Sequence, residues 1–251
     1  MSQSKRELRA ERKAAREATE RAEALAKARR RRWFTLGGLT GVAAAILAIA
    51  IAVSASGGAN KTTTVTSDAA KLVAGIPEKD GVLGDPNAKI TLTEYLDPQC
   101  PICAEASKTA LPHIINTYVK TGKVKLKAAT MSFLGPDSVK AAKFAAGAKA
   151  QGKQWAFLET FYASQGQENS GYVTPEFLQQ VAQASGVDAG KAAAIAGGAS
   201  AQAALDQADG AAQALKVDST PSFTVTRDGG QEKVVAVGLE DLTNKLDKAI
   251  S

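Results

Sequence analysis

The stretch DPQCPIC, residues 97–103, holds both cysteines of a 251-residue chain, and the sequence changes its periodicity across it. Before it, KITLTEYLD sets Ile90, Leu92 and Tyr95 among β-branched Thr91 and Thr93, the pattern of a strand that stops at Pro98. After it, Leu111, Ile114, Ile115 and Val119 recur at helical intervals between Cys103 and Lys120, with Gly122 as the stop. The two thiols therefore lie at a strand-to-helix junction. KVKLKAATMSF reads as a second strand, so this part of the chain is β-α-β.

From Asp137 to about Leu215 the pattern is helical. One piece begins near Ser138. A second carries Trp155, Leu158 and Tyr162 on one stripe and Phe157 and Phe161 on another, which predicts packing on both sides. A third opens with Thr174 as N-cap and Pro175 at the first helical position. PSFTVTRDGGQEKVVAVG then reads as a hairpin turning at Asp228 to Gly230, and Leu239 to Ile250 as a closing helix. The order is β-α-β, a helical block, then β-β-α, an α/β fold.

Charge separates this portion from what precedes it. Residues 1–32 carry twelve Lys/Arg against five Asp/Glu, about +7 of a chain whose formal total is +6, so the remainder lies near −1. A nucleic-acid-binding core is not indicated: beyond the tail no basic cluster is interleaved with aromatics. FTLGGLTGVAAAILAIAIAV, residues 34–53, has no charged side chain. As a helix it spans about 30 Å, the thickness of a bilayer's hydrocarbon core. The expected layout is a basic cytoplasmic tail (1–33), a single transmembrane anchor (34–53), a Gly/Ser/Thr-rich flexible linker (54–75) and a folded domain (76–251) with its helical insertion at about 137–215. Arg29 to Arg32 are expected to keep the N-terminus inside, which places everything after Val53 outside the cytoplasm. The small residues of AVSASG offer an alternative, a cleaved signal peptide.

Two thiols at i and i+3 in a first helical turn can bind metal, form a structural disulfide or exchange disulfides. A structural zinc site takes four ligands, and the one histidine, His113, lies ten residues further along and reads as a helix-surface residue, so neither metal nor cofactor is expected. A structural disulfide across so short a loop removes little entropy from the unfolded chain. At a helix N-terminus the free N–H groups and the macrodipole favour an anion. Cys100 there is expected to be partly thiolate and to attack, with Cys103, one turn in and buried, resolving the mixed disulfide.

VLGDPNAKITLTEYLDPQCPIC, residues 82–103, resembles the active-site region of the DsbA-like thioredoxin-fold oxidoreductases. STPSFTV, residues 219–225, resembles their cis-proline loop, and AKAQGKQWAFLETFYASQ resembles their inserted helical domain. The resemblance covers roughly residues 76–251 and is of the membrane-anchored, Gram-positive or actinobacterial type. It implies a thioredoxin fold with an inserted helical domain and donation of disulfides to exported client proteins with cysteines. A membrane redox partner, DsbB-like or vitamin K epoxide reductase-like, is expected to recharge the protein. By the same resemblance Cys100 matches the nucleophile, Cys103 the resolving thiol, Pro101 and Ile102 the dipeptide that tunes potential, and Pro221 the cis-proline. Thr220 before it presents its backbone to an extended client. Glu94 matches an acidic residue that some members bury beneath the site, where it exchanges a proton with Cys103; the alternative is a solvated strand-end charge. Asp97 is expected in the exposed turn with Pro98.

One position departs from the pattern. Strongly oxidising relatives often carry His where this chain has Ile102, so a less depressed Cys100 pKa and a less oxidising couple are expected here. A thiol reductase or disulfide isomerase of the same fold, and a non-catalytic membrane-tethered binding domain, are the alternative readings. Phosphate-binding and serine-hydrolase motifs are absent from the sequence.

Overall fold

The computed structural model describes residues 65–250 apart from 67, 231, 232 and 239. The expected tail, anchor and linker up to residue 64 lie outside the described residues. Among the described residues no helix is long and apolar enough to cross a membrane. Ala69–Leu72, within the segment expected to be linker, forms a single 3-10 turn, and Val73 after it is buried against the core.

The strands are β1 (Glu78–Lys79), β2 (Val82–Leu83), β3 (Ile90–Leu96), β4 (Val124–Thr130), β5 (Ser222–Arg227) and β6 (Lys233–Val237), joined in one sheet of order β1-β2-β4-β3-β5-β6. β3 pairs parallel with β4, with Glu94 opposite Ala128, and antiparallel with β5, with Glu94 opposite Phe223. A strand flanked on both edges and covered on both faces has no solvated side. Residues 92 to 96 are accordingly all buried, Thr93 and Glu94 included.

Alternation along β3 sends Leu92, Glu94 and Leu96 to one face and Tyr95 to the other. Leu92 and Leu96 join a core with Cys100, Cys103, Phe157, Leu158 and Phe161, whereas Tyr95 packs with Ala129, Met131, Ala208, Ala212 and Val217. Glu94 thus shares its face with the dithiol.

The helix expected from Cys103 to Lys120 is broken. α1 (Pro101–Thr109) ends, Ala110 intervenes, α2 (Leu111–Ile114) restarts, and Ile115–Val119 closes as a wider π turn. Pro112 is the cause: it has no N–H for the carbonyl of Lys108, and its ring clashes with that turn.

The inserted block comprises α3 (Pro136–Lys149), α4 (Gln154–Ala163), α5 (Pro175–Ala184), α6 (Ala189–Ala196) and α7 (Ala199–Ala214). α4 is buried on both sides as its two stripes require, and its only side-chain N-cap comes from another element: the Glu78 carboxylate accepts from the N–H groups of Gln154 (2.6 Å) and Trp155 (3.2 Å). Thr174 caps α5, accepting from Phe177 N. Gly147 lets α3 and α6 touch, since a Cβ there would lie 2.4 Å from the Ala192 carbonyl oxygen.

The β5–β6 hairpin turns where expected, with Asp228 and Gly229 at positive φ. α8 (Leu242–Ile250) buries Leu242, Leu246 and Ile250, one stripe at a four-residue spacing. The architecture is the expected one, β-α-β and β-β-α around one sheet with a helical insertion between them.

Candidate active site

Strand β3 ends at Leu96, and a tight turn carries the chain into α1. Cys100 is the N-cap of that helix, in extended conformation, with Pro101 at the first helical position. Its sulfur accepts from Cys103 N at 3.4 Å and lies 3.3 Å from the Thr220 carbonyl oxygen, to which the protonated thiol donates. The Thr220–Pro221 peptide is cis and Pro221 is buried, so the loop before β5 lies against the sulfur.

The two thiols have opposite environments. Hydrogen bonding from the Cys103 thiol, opposed by burial and aided by the Thr220 side chain and the backbone N–H groups of Cys103 and Ile102, brings the Cys100 pKa down to about 6. Cys103 is fully buried, and burial, the bond it gives Cys100, and the charges of Cys100 and Glu94 push its thiol well above the ordinary value. Cys100 itself is only 5 % exposed. Ile102 (48 % exposed), beside Cys103 in sequence, and Phe133 (50 % exposed), whose backbone N–H bonds Asp97, are large apolar side chains open to solvent.

Glu94 is buried rather than solvated. Burial, then the negative charges of Glu159 and Cys100, raise its carboxyl to about 8. Glu159, on α4, is raised to about 8 by burial, while the Ser107 hydroxyl, donating to it at 2.7 Å, works in the other direction.

Asp97 corrects a sequence expectation. It is fully buried, as is Pro98, because its carboxylate is an organising acceptor: Oδ1 takes Gln99 N (2.8 Å) and Ser138 Oγ (2.6 Å), and Oδ2 takes Leu134 N (3.2 Å). Its carbonyl oxygen accepts from Cys100 N (2.9 Å) and the Tyr162 hydroxyl (3.2 Å). Burial raises this carboxyl, and the donors counteract the rise. His113, expected on a helix surface, is partly exposed there and faces Asp247 of α8 at 3.4 Å.

The inserted block supplies further ties. Gln165 Nε2 donates to the carbonyls of Pro98 (2.8 Å) and Cys100 (3.3 Å). Gln99 donates to the Tyr172 hydroxyl (2.8 Å) and accepts from Asn169 N (3.1 Å). The residues expected at the site, Cys100, Pro101, Ile102, Cys103, Glu94, Thr220 and Pro221, are brought to one place by the structure. Sequence reasoning missed Glu159, Ser107, Gln165, Tyr162 and Ser138. Glu159 carried a signal: a carboxylate between the two apolar stripes of α4 has no solvated face to occupy.

The model of the family described as thioredoxin matches residues 77–248. A curated relative, "Probable disulfide bond formation protein D" of Bacillus anthracis, is 32% identical over 101 residues, which is 39% of this chain and 46% of the relative. The chain thus spans about half the length of the curated relatives it matches. A thioredoxin-like oxidoreductase from Silicibacter pomeroyi has a solved structure that is similar at a TM-score of 0.54 and 26% identity, covering 67% of this chain and 90% of that one. BdbD from Bacillus subtilis is similar in fold at a TM-score of 0.59 and 22% identity, covering 71% and 95%.

Proposed function

The chain belongs to the thioredoxin family, and from that premise we propose that it is a protein thiol-disulfide oxidoreductase that donates the Cys100–Cys103 disulfide to client proteins. The observation that carries the reading is the contrast between the two sulfurs: Cys100 at a helix N-terminus with a pKa of about 6, and Cys103 buried with its thiol pushed up.

In the donating direction a client thiolate attacks Cys100 Sγ. The Cys100–Cys103 bond breaks, its electron pair leaves on Cys103, and Glu94 is placed to protonate that sulfur. A second client thiolate attacks the client's own sulfur, closing the client disulfide and releasing Cys100 as a thiolate. Because Cys100 is stabilised as an anion it is a good leaving group, and stabilising the reduced form makes the couple more oxidising. This favours donation over reduction or isomerisation. The exposed Ile102 side chain, within the CPIC turn, gives a client apolar contact, and the Thr220 backbone offers sequence-independent hydrogen bonds.

We further propose, from the sequence, that residues 34–53 anchor the protein with its catalytic domain outside the cytoplasm, and that a DsbB-like or vitamin K epoxide reductase-like membrane protein reoxidises it. The CPIC dithiol is the centre of this function. Cys103→Ser is expected to accumulate a Cys100 mixed disulfide when offered a disulfide-linked dimer of a one-cysteine client peptide, the second peptide leaving as the thiol and the adduct being visible by mass, and Cys100→Ser is expected to form none. A Cys100→Ser replacement that costs the cell no function of the protein would favour a non-catalytic membrane-tethered binding domain instead.

A further inference from the structure

Glu159 is a buried acid that the chemistry above does not use. It lies on α4, is 3 % exposed, and holds a 2.7 Å hydrogen bond from Ser107 of α1. Ser107 is one helical turn beyond Cys103 on the same face of α1, and is itself half-buried, so it lies between the buried acids and water. Glu94, on the β3 face that carries the dithiol core, senses the charges of both Glu159 and Cys100. The groups facing Glu94 are Glu159 and Tyr162 from α4 and Cys100 and Cys103 from α1; all of them ionise to anions. Two buried carboxyls close enough for one to sense the other's charge cannot readily both ionise, so the pair retains a proton near neutral pH.

We propose that Glu159 is a positioning residue for the Cys103 proton: with Ser107 it forms the outer half of a carboxylate pair through which Glu94 is refilled from solvent each time the disulfide opens. The inference rests on the proposed exchange chemistry. As a client thiolate bonds to Cys100 Sγ, the S–S bond to Cys103 breaks and its electron pair stays on Cys103. Glu94 gives that sulfur a proton. Glu159 passes its proton to the Glu94 carboxylate, and a solvent proton arriving beside Ser107 restores Glu159. Closing the disulfide runs the same path outward, so one proton crosses for each bond opened or closed.

The test is the rate of opening of the oxidised full-length protein by dithiothreitol, normalised to dithiothreitol thiolate, from about pH 6 to 9. The wild type is expected to show two inflections belonging to the pair. Glu159→Gln, which keeps a partner for Ser107, removes one and moves the other to lower pH, slowing opening about three- to tenfold at pH 8. Ser107→Ala moves the outer inflection to higher pH, because the donor that favours the Glu159 carboxylate is gone. Superimposable profiles for wild type and a folded Glu159→Gln protein would overturn the proposal, as would shifts of the same sign in the two variants. A disulfide that dithiothreitol cannot open at any pH overturns the exchange chemistry itself, and this proposal with it.

Discussion

The sulfur of Cys100 and the carbonyl oxygen of Thr220 lie 3.3 Å apart although 120 residues separate them in sequence. The contact joins the helix that lowers the thiol's pKa to the loop that opens β5. Thr220 acts on the sulfur in two senses: its side chain stabilises the thiolate, while its carbonyl takes the thiol proton.

The thiolate is directly observable. Cys100 is expected to titrate at about 6 in ultraviolet absorbance and in the pH dependence of alkylation. Thr220→Val removes the side-chain donor and raises that midpoint. A rise of about one unit lowers the alkylation rate at pH 6 roughly fivefold.

Glu94 makes stability depend on pH. Its carboxyl is raised from 4.5 to about 8, so the folded protein holds a proton that the unfolded chain releases. This contribution is complete below pH 4.5 and is lost as pH rises through the window up to about 8. Glu94→Gln should flatten the decline and be more stable than wild type at pH 9, by on the order of 2 to 5 kcal/mol. Denaturant unfolding at three pH values on both proteins checks the sign. The same variant should open its disulfide more slowly, having lost the acid beside Cys103.

Removing the Asp97 carboxylate strands Ser138 and three backbone donors in a buried place. Asp97→Ala is expected to cost roughly 2 to 4 kcal/mol in urea unfolding, and Ser138→Ala about 1 kcal/mol. The Asp97 variant should also raise the Cys100 pKa, since the turn that presents this residue as N-cap is no longer held.

Ile102 neither donates nor carries charge, and the half-exposed position it occupies admits a polar ring. Ile102→His should lower the Cys100 pKa below that of the wild type and make the pair more oxidising. Each unit of lowering corresponds to about tenfold in the equilibrium with glutathione, or about 30 mV. An unchanged equilibrium would show that the Cys103 hydrogen bond, the helix N-terminus and Thr220 set the potential without help from the side chain at position 102.

Much of the architecture was legible from periodicity: β3, β4, the doubly packed α4, the Thr174 cap and the Asp228 turn each follow from residues within one element. The break at Pro112 was equally local and was hidden by apolar spacing that runs on past it. Asp97 was misplaced for a different reason. A turn with proline ordinarily faces solvent, and only the donors of Ser138, Phe133 and Leu134, some forty residues away, make burying a carboxylate tolerable there. Gln165 and Tyr162 act through carbonyls of the turn, and backbone acceptors have no signature in sequence. The reactive pair could be read directly, whereas the scaffold that holds it depends on contacts that only folding creates.

The ties from Ser138, Tyr162 and Gln165 to the turn before Cys100 also set an order of events. A polypeptide made only as far as residue 110 already contains both cysteines, yet none of these later side chains exists to hold them. Its thiols are then of ordinary reactivity. The hydrogen bonds that hold Cys100 as N-cap beside Thr220 are complete only after the second half of the molecule has been made.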